Sequence, residues 1–329
     1  MGFQSINEIF FYKIKGSKRL RGDVRKYVAQ VIPQISDEIV KNSHLWMETS
    51  PEVEHMLKPE EFFNTADLSH PGIFPPGEDV WKALDHLPEF LASFFQEPWP
   101  LADVRGLIQR PLAIFDGRVI EVEGPVMTGP KGELRAGAHG QVPQGAAVIL
   151  PGAYLSDGRV VIGAGSIVEP GAMIKGPAVI GKNCEVRQGA YFRGNCLVGD
   201  GCVVGHATEI KGSIMLDGAK AGHFAYIGDS ILGKGVNLGA GTKLANLKMI
   251  KGTIVVRSDK GRYDTGRRKL GAILGDGTET GCNSVTSPGT LMGPGSIVYP
   301  AVNVPGGYYP GRTYFSPGKG TLQIRSVGR

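Results

Sequence analysis

An apolar residue recurs at every sixth position through the middle of the chain, beginning at Ile162. A strand has a period of two residues and an α-helix a period of about 3.6, so neither element alone produces a strict period of six. A stack of triangular coils does, because each hexad forms one flat side and three hexads complete a turn. Short-period repeats of this kind are typical of solenoids. The repeating apolar positions are Ile162, Val168, Ile174, Ile180, Val186, Phe192, Val198, Val204, Ile210 and Leu216.

The six-residue period is interrupted twice. Leu216 and Leu232 are sixteen residues apart, whereas a full coil of three hexads needs eighteen. We therefore predict a local distortion of the backbone in this segment, which contains His223. The second interruption, residues 247–270, is predicted to be an excursion from the coil stack, and the period returns at Leu274.

Residues 1–105 have sparse glycine and apolar residues at helical spacing, which predicts a small helical N-terminal domain. One helix is expected after Asp23, which is suited to cap it. A second is expected where Val80, Leu84 and Leu87 lie three or four residues apart, with Pro88 as a point that could split it. The remaining divisions are a short-strand connector at 106–146, the β-helix at 147–304 and a C-terminal tail at 305–329.

The glycine and cysteine content supports the coil prediction and indicates the cellular compartment. Glycine accounts for 49 of 329 residues, mostly after residue 124, where tight corners need it. Cys184, Cys196 and Cys202 occupy the small-residue position of the hexad, so we predict that they are buried thiols, and no secretory cysteine pattern is present. The N-terminal residues lack the apolar stretch of a signal peptide or a membrane span. We expect a cytoplasmic protein that binds neither membrane nor nucleic acid.

Three basic residues follow the length of a full coil. Lys175, Arg193 and Lys211 are spaced by eighteen residues, and each follows an inward apolar residue. Residues one coil apart stack at about 4.8 Å, so these cations are predicted to form a column whose mutual repulsion a bound anion would offset. A phosphate site is one interpretation, and a lysine that turns into solvent is the other.

Two further stretches carry candidate chemistry. His223 lies among small residues near the basic column, and a neutral imidazole is suited to remove a proton near pH 7. In GVNLGAGTKLANL, Asn237 and Asn246 offer amide groups that could orient a ligand.

The strings KAGHFAYIGDSILGKGVNLGAGTKLANL and GRRKLGAILGDGTETGCN resemble a signature of the left-handed β-helix acyltransferases of hexapeptide type. The similarity is greatest to the acetyltransferase half of bifunctional glucosamine-1-phosphate N-acetyltransferase/UDP-N-acetylglucosamine pyrophosphorylase and to archaeal sugar-1-phosphate relatives. It covers roughly residues 147–304. It implies a mainly β, left-handed parallel β-helix, a homotrimer, and acetyl transfer from acetyl-CoA to the amino group of an amino-sugar 1-phosphate or a sugar nucleotide.

The resemblance also assigns roles to residues. His223 falls on the catalytic base, and Arg193 and Lys211 fall on the cations that hold the sugar phosphate. Tyr226 and Asn237 fall on sugar-contacting positions, and Asn246 falls at the junction of sugar and acetyl-CoA. The acetyl-CoA lining positions are Ala240 and Cys282, and no metal is implied.

The chain departs from the family in two places. It has no phosphate loop of a nucleotidyltransferase, so a separate nucleotidyltransferase is a conceivable partner. Tyr299-Pro300 lies where acetyl-CoA is expected to pass, and a proline offers no backbone donor. The basic residues of the excursion either hold a coenzyme phosphate or belong to a solvated loop; they are Arg262, Arg267, Arg268 and Lys269.

Two other functions compete with acetyl transfer. A non-catalytic sugar-phosphate or nucleotide-binding module would fit the same residues. A metal enzyme of the γ-type carbonic anhydrase kind would use His206, but the histidine expected five residues later is Lys211. Because three histidines bind the zinc in that family, this loss is serious.

Overall fold

The structure is a computed structural model in which Met1–Pro51 and Glu52–Arg329 separate as two units. The helix predicted after Asp23 lies outside the described residues. The second unit is the β-rich body that carries every candidate site residue. The described residues are 56–96, 98–124, 126–128, 134–136, 142–259, 261–318 and 322–326.

Three sheets of parallel strands run along the molecule and form the three sides of a β-helix. The chain visits sheet 1, sheet 2 and sheet 3 in that order and then enters sheet 1 of the next coil. The predicted fold class is confirmed: the protein is mainly β, a left-handed parallel β-helix of hexapeptide type. Antiparallel strands close both ends of sheet 1, where 112–115 pairs with 147–149 and 322–326 pairs with 313–317.

The strand bounds follow the hexads. Sheet 1 contains Arg118–Glu121, Leu112–Phe115, Ala147–Ile149, Ile167–Val168, Glu185–Val186, Val203–His206, Lys220–His223, Asn237–Leu238, Glu279–Thr280, Ile297–Val298, Thr313–Pro317 and Leu322–Ser326. Sheet 2 contains Gly106–Leu107, Tyr154–Leu155, Met173–Lys175, Tyr191–Arg193, Glu209–Lys211, Tyr226–Gly228, Lys243–Leu244, Val285–Thr286 and Asn303–Val304. Sheet 3 contains Val160–Ile162, Ala178–Ile180, Cys196–Val198, Ser213–Met215, Ile231–Leu232, Ala272–Leu274, Thr290–Met292 and Gly307–Tyr309.

The other described elements lie outside the coils. Two short antiparallel pairs join Val126–Thr128 to Leu134–Ala136 and Val255–Ser258 to Gly261–Asp264. One α-helix, α1, spans Ala83–Ala92. No helix in the described part of the chain is both long and apolar enough to cross a membrane. The 3-10 turns are Pro59–Glu61, Pro71–Ile73, Val80–Lys82 and Ser93–Phe95.

The repeating apolar residues point into one continuous core, together with the small residues of the hexads. Cys184, Cys196 and Cys202 are buried there as free thiols, which confirms the prediction made from their position in the hexad. Leu216 is an exception, because it packs on the outside of sheet 3. Met215 takes the inward position instead, opposite Val198 of the preceding coil.

The inward position of Met215 in place of Leu216 shows where the six-residue period fails. Val179 pairs with Leu197 at an offset of eighteen residues, whereas Leu197 pairs with Ile214 at an offset of seventeen. Each of the corners at Gly212 and Asp229 is one residue shorter than the corner at 194–195. The slip predicted between Leu216 and Leu232 is therefore confirmed in part: one shortened corner, at Asp229, lies in that segment, and the other, at Gly212, lies before it. Neither is the corner at His223, since both lie between sheets 2 and 3.

The corner at His223 is unusual in another way. Strands 203–206 and 220–223 each extend over four residues, so that His206 pairs with His223, whereas the next strand of sheet 1 spans only 237–238. The distortion at this corner is an extension of strand pairing into the turn, with no change in chain length.

The outer face of sheet 3 is covered. Ile214 and Leu291 belong to an apolar cluster formed with residues from 57–95 and with the excursion. In α1, Leu84, Leu87 and Leu91 lie on the buried face, and the helix continues through Pro88 without being split. The sequence carried a signal for this cover, because the outward residue of the hexad is apolar in coil after coil of sheet 3, whereas on sheets 1 and 2 it alternates with polar residues such as Glu185, Lys220 and Glu209. The outward residues of sheet 3 are Val161, Val179, Leu197, Ile214, Ile231, Ile273 and Leu291.

Carboxylates fasten the cover to the coils. Asp217 accepts hydrogen bonds from the Ser69 hydroxyl at 2.6 Å and from the Ser69 backbone N–H at 3.1 Å. Burial acts to raise the pKa of Asp217, but these hydrogen bonds outweigh it and the pKa is lowered. Arg267 of the excursion pairs with Asp85 of α1 and is 16% exposed, so it fastens the helix in place of holding a coenzyme phosphate.

We predict that Ile214→Ala destabilises the protein by about 2–4 kcal/mol, because Ile214 is fully buried between sheet 3 and its cover. The matched control is Met173→Ala at an outward position of sheet 2, where the side chain is half-buried; its cost should stay below about 1 kcal/mol. Urea unfolding of the two variants measures the difference, and equal losses would contradict the assignment of sheet 3 as a covered face.

Candidate functional site

One edge of the triangle, between sheets 1 and 2, holds three of the candidate residues in one column. The backbone N–H of Phe224 donates to His206 O at 2.8 Å, and Gly241 N–H donates to His223 O at 3.0 Å. Asn283 N–H then donates to Ala240 O at 2.8 Å. This ladder stacks four corner residues of successive coils, which are His206, His223, Ala240 and Cys282.

His223 presents an exposed imidazole at this corner. Its ring stacks on that of His206 with centroids 5.4 Å apart and planes inclined by 23°. No hydrogen bond holds the imidazole nitrogens of His223 within the described part of the chain. An imidazole in this situation can accept a proton from a molecule that approaches the corner.

Asn237 lies close to this column along the chain, at an outward position of sheet 1. It pairs with Lys220 on one side and with Glu279 on the other, and its side chain is exposed. The amide is therefore available to a ligand on the sheet 1 side of the corner.

The basic column lies on the opposite edge of sheet 2, at the corner with sheet 3. Lys175 pairs with Arg193, as the spacing of eighteen predicts, and Lys211 continues the column. The fourth position is Gly228. A Cβ atom at Gly228 would lie 2.6 Å from the Tyr226 hydroxyl and 2.7 Å from Nδ2 of Asn246, so the glycine makes room for both side chains.

These side chains converge on Asp229. The Lys211 ammonium lies 2.8 Å from the Asp229 carboxylate, and the Asn246 amide donates to the same carboxylate oxygen. The Tyr226 hydroxyl lies 3.4 Å from Oδ1 of Asn246. The structure thus brings Lys211, Tyr226 and Asn246 together around a carboxylate that the sequence analysis did not identify.

The other cations of the column also have partners. Arg193 pairs with Glu209 at 2.7 Å, and that hydrogen bond raises the pKa of the exposed guanidinium. The Lys175 ammonium lies 5.2 Å from the centroid of the Tyr191 ring. Protein groups therefore offset part of the repulsion between stacked cations, and the alternative in which Lys211 turns into solvent does not hold.

A signal for Asp229 was present in the sequence. Lys175, Arg193 and Lys211 are eighteen residues apart, and a further step of eighteen reaches Asp229. The column of cations ends one step before it, at Lys211. Glu209 carried no such signal, because it pairs with Arg193 diagonally across coils.

The second ligand position of the competing zinc site is not a histidine. Lys211 stands where the γ-type carbonic anhydrase pattern needs a histidine, and its ammonium is held by Asp229. Over the ranges that the structure describes, no three His, Cys, Asp or Glu side chains converge in a way that could hold a metal ion.

A protein-family model matches part of these coils. Residues 174–280 match the family described as the GMPPB C-terminal domain. The chain is 39% identical over 100 residues to the bifunctional sugar-1-phosphate nucleotidylyltransferase/acetyltransferase of Sulfurisphaera tokodaii, covering 30% of this chain and 25% of that protein. It is 34% identical over 109 residues to the uncharacterized acetyltransferase YaiX of Escherichia coli, covering 32% of this chain and 47% of that protein.

These homologues confirm the resemblance inferred from the sequence strings. The chain spans about a quarter of the length of the archaeal relatives it matches. Among solved structures, it is similar to the UDP-N-acetylglucosamine acyltransferase from Campylobacter jejuni, with a TM-score of 0.38, 17% identity, and coverage of 55% of this chain and 68% of that one.

We predict that Asp229→Ala destabilises the protein by about 1–3 kcal/mol, because Lys211 and Asn246 lose the acceptor that they share. The side chains of Lys211 and Asp229 are only 21% and 12% exposed, so water replaces the carboxylate poorly. The control is Glu209→Gln, which breaks the more exposed Arg193 pair and should cost less than about 1 kcal/mol. Thermal unfolding distinguishes the two, and an equal effect would show that the Asp229 cluster is not a buried network.

Proposed function

We propose that the protein transfers an acetyl group from acetyl-CoA to the amino group of an amino-sugar 1-phosphate or a sugar nucleotide. The observation that carries this proposal is the exposed imidazole of His223 in one corner column with Ala240 and Cys282. The names of the relatives, which include sugar-1-phosphate nucleotidylyltransferase/acetyltransferases, support the same chemistry.

His223 acts as the general base in this reaction. The acceptor nitrogen attacks the thioester carbonyl carbon while the imidazole takes the proton that the nitrogen loses. The tetrahedral intermediate then collapses, the C–S bond breaks, and the CoA sulfur leaves as a thiol after the imidazolium returns the proton. The products are the acetamido sugar and free CoA, and neither a metal ion nor an oxidant is needed.

We assign acetyl-CoA to the surface of the same corner column. Above His223, successive coils present the small Ala240 and the exposed Cys282 along the same edge. A coenzyme arm running along this edge would place its thioester beside the imidazole without a large side chain in the way. This arrangement supports Ala240 and Cys282 as acetyl-CoA contacts.

The sugar phosphate is assigned to the other edge of sheet 2. Arg193 keeps further guanidinium N–H groups beyond the one that Glu209 accepts, and these can bind a phosphate. Tyr226, Asn237 and Asn246 would orient the sugar. Since the base and the cations stand on opposite edges of one sheet, we propose a homotrimer in which neighbouring copies bring the two groups together.

One observation favours a second function. Ala301 N–H donates to Cys282 O, which puts Pro300 next in the corner column, beyond Cys282. A proline there cannot donate a backbone hydrogen bond to a coenzyme amide. A non-catalytic sugar-phosphate or nucleotide-binding module, or the partner of a separate nucleotidyltransferase, is the alternative that this residue favours.

We expect His223→Ala to lower kcat for acetyl transfer by about 10²–10⁴-fold, the usual contribution of a general base. The melting temperature should not change, because the side chain is exposed and makes no hydrogen bond in the described structure. Release of CoA thiol from acetyl-CoA with glucosamine-1-phosphate measures the rate, and His86→Ala on α1 is the control. An intact rate in His223→Ala would overturn the mechanism.

We expect Arg193→Ala to raise KM for glucosamine-1-phosphate by about tenfold to hundredfold, which corresponds to the loss of one charge-assisted hydrogen bond to phosphate. KM for acetyl-CoA should be unchanged. Arg159→Ala is the matched control, since Arg159 is also an exposed, ion-paired arginine of the coils. If both variants behave alike, the phosphate does not bind at Arg193.

A further inference from the structure

The residue before His223, Gly222, differs from the other glycines of its row, in which other coils carry Glu169, Arg187 and Tyr299. Gly205, Gly239 and Gly281 occupy the same position of successive coils, and a Cβ atom on each would lie 1.8–2.5 Å from backbone atoms of the next coil. Gly222 belongs to the same row, yet a Cβ atom there would meet nothing within 4 Å. Its φ is also outside the left-handed region. Neither packing nor backbone conformation within the described chain requires glycine at 222.

The residue after His223 departs in the opposite direction. The corresponding residue of each coil has a positive φ, a conformation that disfavours bulky side chains. Small residues or asparagine satisfy it elsewhere, but Phe224 has φ +54° and its side chain is 61% exposed. An exposed ring gains little from burial in this chain to offset its strained backbone. The other residues of the row are Gly171, Gly189, Ala207, Gly241, Asn283 and Ala301.

These two departures shape the surface beside the imidazole. The Phe224 ring centroid lies 6.5 Å from that of His223, with the ring planes inclined by 38°. On the other side of His223 along the chain, Gly222 leaves open space. The imidazole therefore has an aromatic ring beside it at residue 224 and no side chain at residue 222. A strained conformation such as that of Phe224 is typical of ligand sites.

We infer that Gly222 and Phe224 form the acceptor pocket of His223. The space over Gly222 admits the acceptor's amino group to the imidazole, and the Phe224 ring packs against the C–H face of a pyranose. Aromatic walls with few polar groups are the usual lining of small-molecule pockets. This inference rests on the proposed acetyl transfer and adds the residues that select a sugar-sized acceptor.

The test uses Phe224→Gly, which removes the ring and suits a positive φ, and Gly222→Ala, which fills the open space. We expect each to raise KM for glucosamine-1-phosphate by about tenfold or more, with KM for acetyl-CoA changed by less than about twofold. Phe224→Leu should fall between wild type and Phe224→Gly. The melting temperature of Gly222→Ala should be equal to or above that of wild type, since nothing obstructs the new methyl group.

Asp116→Gly is the control, because Asp116 is another non-glycine residue at positive φ, +47°, in the hairpin at 112–121. We expect both Phe224→Gly and Asp116→Gly to raise the melting temperature, because glycine adopts a positive φ without strain, and Asp116→Gly should leave both KM values unchanged. A rise in KM for acetyl-CoA alone would overturn the assignment in favour of the donor. Loss of the oligomer in gel filtration of Phe224→Gly would overturn it in favour of a subunit contact, and unchanged kinetics would overturn it outright.

Calorimetry separates this inference from the proposed function. If wild type binds glucosamine-1-phosphate but transfers no acetyl group, the proposed function fails, while a Kd raised about tenfold in Phe224→Gly but not in Asp116→Gly still supports the pocket. If wild type binds no glucosamine-1-phosphate, the pocket assignment fails as well.

Discussion

The hydrogen-bonded register between coils is the constraint on which the rest of the structure depends. Each coil donates and accepts backbone hydrogen bonds with the next, so a residue's neighbour in space is fixed by its position in the coil. That register persists through the 42-residue step across the excursion, where Leu238 still pairs with Thr280. Side chains far apart in sequence, such as His223 and Cys282, therefore share one edge.

The same register stacks like charges on one another, and carboxylates lie within ion-pair distance of two of these cations. Lys175, Arg193 and Lys211 cannot separate along the coil axis without breaking the ladder. Glu209 and Asp229 supply opposite charge to Arg193 and Lys211. Lys211 is less exposed than Arg193, and its partner Asp229 is likewise less exposed than Glu209. Arg193 keeps guanidinium N–H groups that can donate to an incoming anion.

Periodicity predicted the inward residues, the three buried cysteines and the basic column, because all three follow from a coil of constant length. It failed where the length changed by one residue. Leu216 and Met215 are both apolar, so the six-residue count continued to Leu216 and placed the whole slip after it, and only the register shows that Met215 faces the core. The cover on sheet 3 does not follow from the inward residues of the hexads, because its signal lies in the outward residues such as Leu197 and Ile214.

The corner at His223 shows why a repeat is informative where individual residues break it. In a regular solenoid each row of equivalent positions states what the backbone requires there, so a departure from the row needs a cause outside the backbone. Gly222 lacks the close contact that explains Gly205 and Gly239, and Phe224 lacks the small side chain that positive φ favours. Both departures adjoin the one exposed histidine of this corner column, since His206 below it is half-buried. The proposed ligand at the imidazole would supply a cause for both at once, whereas a purely structural role for His223 accounts for neither.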